Sequence, residues 1–167
     1  MMAYAFGIPL LAVLAVLESS LMGHLHFLDG RPNLVLLAVV AWSLTGRWRE
    51  GMIWGLVSGL MLDLMTELPF GTNAIAFVLV SYLVSFLEGR FWRANLLMPL
   101  GVMLAASLIY HFFALGALFL MGREIDLAYA LTRVILPSAF LNLLLAIPAS
   151  QIGAAVYRSL YPPEVQI

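Results

Sequence analysis

Apolar residues run along this chain in long blocks with few polar interruptions. Crossing a hydrocarbon core takes about 20 apolar residues in a helix, and the block from Tyr4 to Met22 reaches that length. The polar stretch from Gly23 to Pro32 breaks the pattern. A second block goes from Asn33 to Thr45 and stops at the charged knot Arg47-Trp48-Arg49-Glu50. A third runs from Gly51 to Met65 and closes in the turn-rich segment from Thr66 to Asn73 (TELPFGTN). The fourth covers Thr72 to Leu87, before Glu88-Gly89-Arg90-Phe91-Trp92-Arg93. The fifth covers Asn95 to Met121, and the sixth Val134 to Tyr157. These blocks predict an all-α membrane protein, about six transmembrane helices in one bundle, with residues 1–167 forming a single polytopic domain.

The second and third blocks are short for full spans. Either flanking residues extend them, with Trp42, Trp48 and Trp54 near the interface, or they cross a thin region. Five spans with an irregular hairpin at this point is the competing pattern. Arg123 to Arg133 predicts a helix lying in the interface. Pro137 falls in the first turn of the sixth helix, where its missing N–H costs little, while Pro148 falls inside that helix and predicts a kink. The tail Tyr161-Pro162-Pro163-Glu164 is too short to be a domain.

Composition explains why the blocks belong in lipid. Hydrophobic residues make up 63% of the chain and charged residues 10%, with a mean hydropathy of +1.02. Soluble domains hold roughly 45–50% and about 25%, so a soluble fold would leave much of this surface as bare hydrocarbon. All basic residues are Arg, the net charge is −1, and no basic tail points to nucleic acid. Cysteine is absent, which excludes disulfides, thiolate metal sites and cysteine nucleophiles. The first block lacks the basic leader of a signal peptide and reads as a retained anchoring helix. With six spans, Arg47, Arg49, Arg90, Arg93 and Arg158 fall on one side, and Arg31, Arg123 and Arg133 on the other. The positive-inside bias then predicts both termini in the cytoplasm.

Polar residues inside a membrane are costly and therefore informative. Placed by helical rise, Glu18, Asp63, His111 and Asn142 all fall in the outer half of the bilayer, with Ser19, Ser20, Ser58, Thr66, Asn73 and Tyr110 at similar depth. They predict either an outward-facing polar cavity or partner cleft, or interhelical hydrogen bonds that tie the bundle together. Asp63 is a carboxylate either held neutral or paired with His111. Gly51, Gly55 and Gly59 form a smooth strip on the third helix, for a helix of this chain or of a partner, with Gly55 expected at the tightest crossing. In the turn, Pro69 fixes one backbone angle and Gly71 is free to take positive φ. Thr72 or Asn73 would then cap the fourth helix, so Pro69, Gly71 and Asn73 predict an ordered outer turn. His24, His26 and Asp29 sit in a loop at a spacing that reads as solvated or headgroup-facing rather than as a metal site. There is no phosphate-cradling glycine loop, no HExxH and no GxSxG, and Ser19-Ser20 has no His or Lys partner at motif spacing. Neither catalysis nor a cofactor is expected.

One ordered set of residues adds a resemblance. Pro32-Asn33-Leu34 is followed by Trp42, by Arg47 and Arg49, by the three glycines, by Asp63, by Leu68-Pro69-Phe70-Gly71-Thr72-Asn73-Ala74 and by Tyr82. Over about residues 30–90 this order resembles MreD, the small polytopic rod-shape-determining family of bacteria, with Asn33 where the family more often has an acid. The resemblance implies a non-enzymatic subunit of the cell-elongation machinery in the bacterial cytoplasmic membrane. It implies MreC as partner and, through it, MreB filaments, the RodA glycosyltransferase and a penicillin-binding protein. It also implies a fold similar to the substrate-binding subunits of energy-coupling-factor transporters. The alternative function is therefore a vitamin- or small-solute-binding membrane subunit. Against it, the first helix carries no clean Ala-xxx-Ala docking strip, only the pairs Ala3/Gly7 and Ala15/Ser19.

Overall fold

The apolar blocks become helices with little change at their ends. The computed structural model describes residues 2–21, 28–86 and 97–162. His24, His26, the charged segment from Glu88 to Arg93 and the tail beyond Pro162 lie outside these residues. Among the described residues the chain is helical with no strands: α1 (Met2–Leu21), α2 (Leu34–Ser43), α3 (Trp48–Asp63), α4 (Thr72–Ser85), α5 (Met98–Leu120) and α6 (Leu127–Leu160). Two of them, α5 and α6, are long and apolar enough to cross a membrane.

The centre of the bundle is its shortest helix. With only three turns or so, α2 reaches about half-way across a hydrocarbon core. Its sequence LVLLAVVAWS is apolar on every side, the pattern of a helix surrounded by protein. All five other helices pack on it, and Val35, Leu36, Val39, Val40 and Trp42 are buried. Trp42 stacks on Trp54 of α3 at 4.4 Å, and both are buried rather than facing the interface, which corrects their expected place. Trp48 is half-buried, edge-on to Tyr82. The outside of the bundle is apolar: Phe112, Phe119, Leu120, Phe140 and Leu144 are exposed, as lipid requires of its neighbours and water does not.

The glycine strip packs inside the chain. A Cβ on Gly51 would meet the Ser43 hydroxyl of α2, and one on Gly55 would lie 3.0 Å from the Phe77 backbone of α4. One on Gly59 would fall onto the Ala74 backbone, 2.5 Å from its nitrogen. The closest backbone crossing is therefore at Gly59 and not at Gly55. The reason is the short α3–α4 connection, which draws the two helices together toward the turn.

Two further expectations change. The segment from Arg123 to Arg133 is not a separate interfacial helix, because from Leu127 it runs unbroken into the last helix. The preceding helix, α5, ends in a Schellman motif built on Gly122, whose φ is positive. There the Gly122 N–H donates to the Phe119 carbonyl at 2.9 Å, and the Arg123 N–H to the Leu118 carbonyl at 3.2 Å. Asp126 then caps α6 by accepting the Tyr129 N–H at 3.1 Å. A π-helical turn, Ala130–Ile135, follows, so Pro137 lies within α6 rather than at its start. Proline has no N–H for the carbonyl four residues back. That carbonyl, of Arg133, instead accepts the Asp29 N–H at 3.1 Å. Pro9 lies inside α1, as Pro148 does inside α6.

Candidate functional site

The polar residues gather where α2 and α4 begin. A helix start leaves four backbone N–H groups without intrahelical partners, and within a hydrocarbon layer no water can serve them. At α4 the residue before the helix is Gly71, at φ 97°, which has no side chain to offer. Asp63, the last residue of α3, takes the role from across the turn. One of its oxygens accepts the Gly71 N–H at 2.9 Å and the Ala74 N–H at 3.3 Å. The other accepts the Asn73 N–H and the Asn73 side-chain amide, both at 2.9 Å. A carboxylate there also faces the positive end of the helix dipole. Thr72 and Asn73 are not the cap: the Thr72 hydroxyl bonds back to the Pro69 carbonyl at 2.7 Å, and the Asn73 amide is held by Asp63 and Thr66. The turn through Pro69, Gly71 and Asn73 is thus pinned at both ends.

α2 receives the same treatment from more elements. Asn33 caps it through the Leu36 N–H at 2.7 Å, and Glu18 of α1 accepts the Val35 N–H at 3.0 Å. The extended approach to α2 lies along α6. Arg31 N–H donates to the Ser138 hydroxyl at 2.9 Å and Asn33 N–H to the Asn142 side-chain Oδ1 at 2.8 Å. Gly30 sits so close that a Cβ would fall 2.6 Å from Pro137 and Ser138 atoms. The Asn142 amide continues to the Ser107 hydroxyl of α5 at 3.0 Å, and the Ser107 carbonyl meets His111 Nδ1 at 2.7 Å. Asp29 accepts the Tyr129 hydroxyl at 2.6 Å.

Of the four residues that depth singles out, Glu18 and Asn142 converge on the start of α2, while His111 lies one turn beyond Ser107 and bonds to its backbone carbonyl within α5. Asp63 stands apart at α4 and does not pair with His111, since both its oxygens are taken by α4 donors. Glu18, Asp63 and Asn142 bond to other elements of the bundle, whereas His111 bonds only to the Ser107 carbonyl of its own helix. Arg31, Asn33, Ser107 and Ser138 complete the network, and the depth argument does not find them. Asn33 alone has a usable sequence signal, a cap-forming residue directly before an apolar run.

At the opposite end a second cluster closes the α2–α3 loop onto the end of α6. Arg47 and Glu50 pair at 2.6 Å, the Trp42 indole N–H donates to Glu50 at 3.1 Å, and the Tyr161 hydroxyl donates to Glu50 at 3.3 Å. The Arg47 guanidinium lies 3.5 Å from the Tyr161 ring centre. Burial and the Glu50 charge push the Tyr161 phenol above its usual range.

The family model for rod shape-determining protein MreD matches residues 2–152, a stretch that contains both capped helix starts and all six helices up to the last part of α6. The chain belongs to the MreD family. MreD proteins are membrane proteins of cell-shape determination and are not known as enzymes. The match reaches well beyond the residues 30–90 that carry the resemblance. No curated protein and no solved structure gives a significant match to the chain.

Proposed function

We propose that this MreD-family chain is a non-enzymatic scaffold of the bacterial cell-elongation machinery. It crosses the cytoplasmic membrane six times with both termini inside, and it binds the membrane helix of MreC. Through MreC it links MreB filaments to RodA and its penicillin-binding partner. The family match over residues 2–152 carries this reading. The geometry supports it in two ways. The costly polar groups are spent on capping α2 and α4, which favours a rigid scaffold over a solute-binding subunit of the energy-coupling-factor type. α5 also offers a partner a bare face: Gly101, Ala105, Leu108, Phe112 and Gly116 all point out of the bundle, and a Cβ on either glycine would have no neighbour within 4 Å. Small residues of this kind let a second helix approach closely in lipid.

The test is co-expression with the cognate MreC and purification through a tag on one protein. Recovery of a complex is expected in mild detergent or nanodiscs. Recovery of a bound vitamin and no MreC would overturn the reading. A C-terminal reporter active only outside the cell would overturn the orientation.

A further inference from the structure

A groove runs down the side of the bundle between α1 and α6, with α2 as its floor. Both outer helices lean on α2 without packing closely on each other. The groove encloses about 310 Å³ and is lined almost wholly by hydrocarbon, including Leu14, Ala38, Ala149 and Ile152. That volume lies at the small end of ordinary ligand pockets, about 300–1,000 Å³. Trp54 closes one wall, and its buried indole N–H has no partner among the described residues.

What distinguishes this groove is what stands at its end. Trp42 and Val156 are its last residues on α2 and α6 toward the α2–α3 loop. Trp42 donates to Glu50, and Tyr157 follows Val156; both Glu50 and Tyr157 line a second, polar hollow with Arg47, Arg49 and Gly46. The groove therefore ends beside a charged loop. Arg47 is neutralised by Glu50, but Arg49 is exposed and makes no ion pair among the described residues, so the hollow is net cationic. The α3 helix starts there as well, with no side chain capping its first amides. Open helix-start amides and a guanidinium are the two features that bind phosphate.

We infer that this groove and hollow form a binding site for one anionic glycerophospholipid. The acyl chain lies over Ala38 between α1 and α6, and the phosphate sits at Arg49 and the start of α3. The order of the two parts matches a lipid in its leaflet, chain toward the middle of the membrane and phosphate at the interface. Basic pockets between transmembrane helices select anionic headgroups on the same principle.

The probe is phosphatidylglycerol against phosphatidylcholine of equal chain length, titrated into the delipidated full-length protein and read by native mass spectrometry. Phosphatidylglycerol is expected to bind more tightly. Arg49→Gln, on an exposed side chain, is expected to weaken it roughly fivefold, the worth of one interfacial cation, and to weaken phosphatidylcholine less, because its choline cation already offsets the phosphate charge. Ala38→Leu, which fills the groove, is expected to weaken both lipids. Should Ala38→Leu fail to fold, the Arg49→Gln comparison decides by itself. Equal binding of the two lipids, or of phosphatidylglycerol to wild type and Arg49→Gln, would overturn the site. So would glycerol phosphate competing as well as intact lipid, or a photo-crosslinker at Ala38 that captures a partner's helix and no lipid. None of these outcomes bears on whether MreC co-purifies.

Discussion

Asp63 shows what a single carboxylate does in this chain. It accepts three backbone N–H groups and one side-chain amide, and no other side chain caps α4. Asp63→Ala leaves those amides buried without partners. Losing a helix cap costs about 0.5–2 kcal/mol and each unsatisfied buried donor about 1–3 kcal/mol. Thermal unfolding in detergent is therefore expected to drop sharply for Asp63→Ala and less for Asp63→Asn, which keeps an acceptor. Glu18→Gln, which keeps an acceptor for the Val35 N–H, is expected to cost least. Equal melting of wild type and Asp63→Ala would show that water or lipid headgroups serve α4 instead. These residues are conspicuous in the sequence because a carboxylate amid apolar neighbours is expensive. Their partners are not, because backbone amides are the same at every position and carry no side-chain signal. The pairing of Asp63 with His111 fails for that reason: it matches side chain to side chain, while the actual demand comes from two helix starts.

Helices are legible because six apolar blocks separated by polar knots leave few other arrangements. Their packing is legible only in part. The glycine strip does mark a close helix crossing, yet its tightest point is set by chain connectivity, which draws α3 and α4 together at the Asp63 turn. Gly59→Ala is therefore expected to destabilise more than Gly55→Ala, by about 1–3 kcal/mol as overpacking usually costs. A Cβ at Gly59 meets rigid Ala74 backbone 2.5 Å away, whereas at Gly55 the nearest atom is 3.0 Å away. Melting curves of the two variants in one detergent check this, and the reverse order would place the tight crossing back at Gly55. Pro137 departs from its expected place for a different reason. A proline ordinarily marks a helix start, but here the Asp29 N–H takes up the carbonyl it frees, and a π turn just before it admits the ring. A donor lying so far away in sequence leaves no local trace.

At the scale of the molecule, the design is a short central helix held in place by its neighbours. α2 begins with backbone amides that need partners, and α1, α5 and α6 supply polar groups around its start. A scaffold gains from this, since the polar groups fix the relative positions of helices whose apolar sides would otherwise slide past one another. What remains for a partner is the outside, and α5 contributes one open face of it. Its most apolar stretch is only 22% buried. The last prediction separates fold from partner on that face. Gly101→Leu and Gly116→Leu add bulk where no atom lies within 4 Å of a new Cβ. Melting of the isolated protein is therefore expected to stay the same or rise slightly, as replacing a helical glycine removes a cost of about 1 kcal/mol. Recovery with MreC is expected to fall severalfold, because the added side chains hold the second helix away from the α5 backbone. The paired measurement matters. Loss of MreC together with lower melting would mean that the two glycines pack inside the bundle. Unchanged recovery with unchanged melting would mean that α5 faces lipid and that MreC binds elsewhere. Only retained melting with lost recovery places the partner on α5, at a face that a chain with so little polar surface can offer through close packing alone.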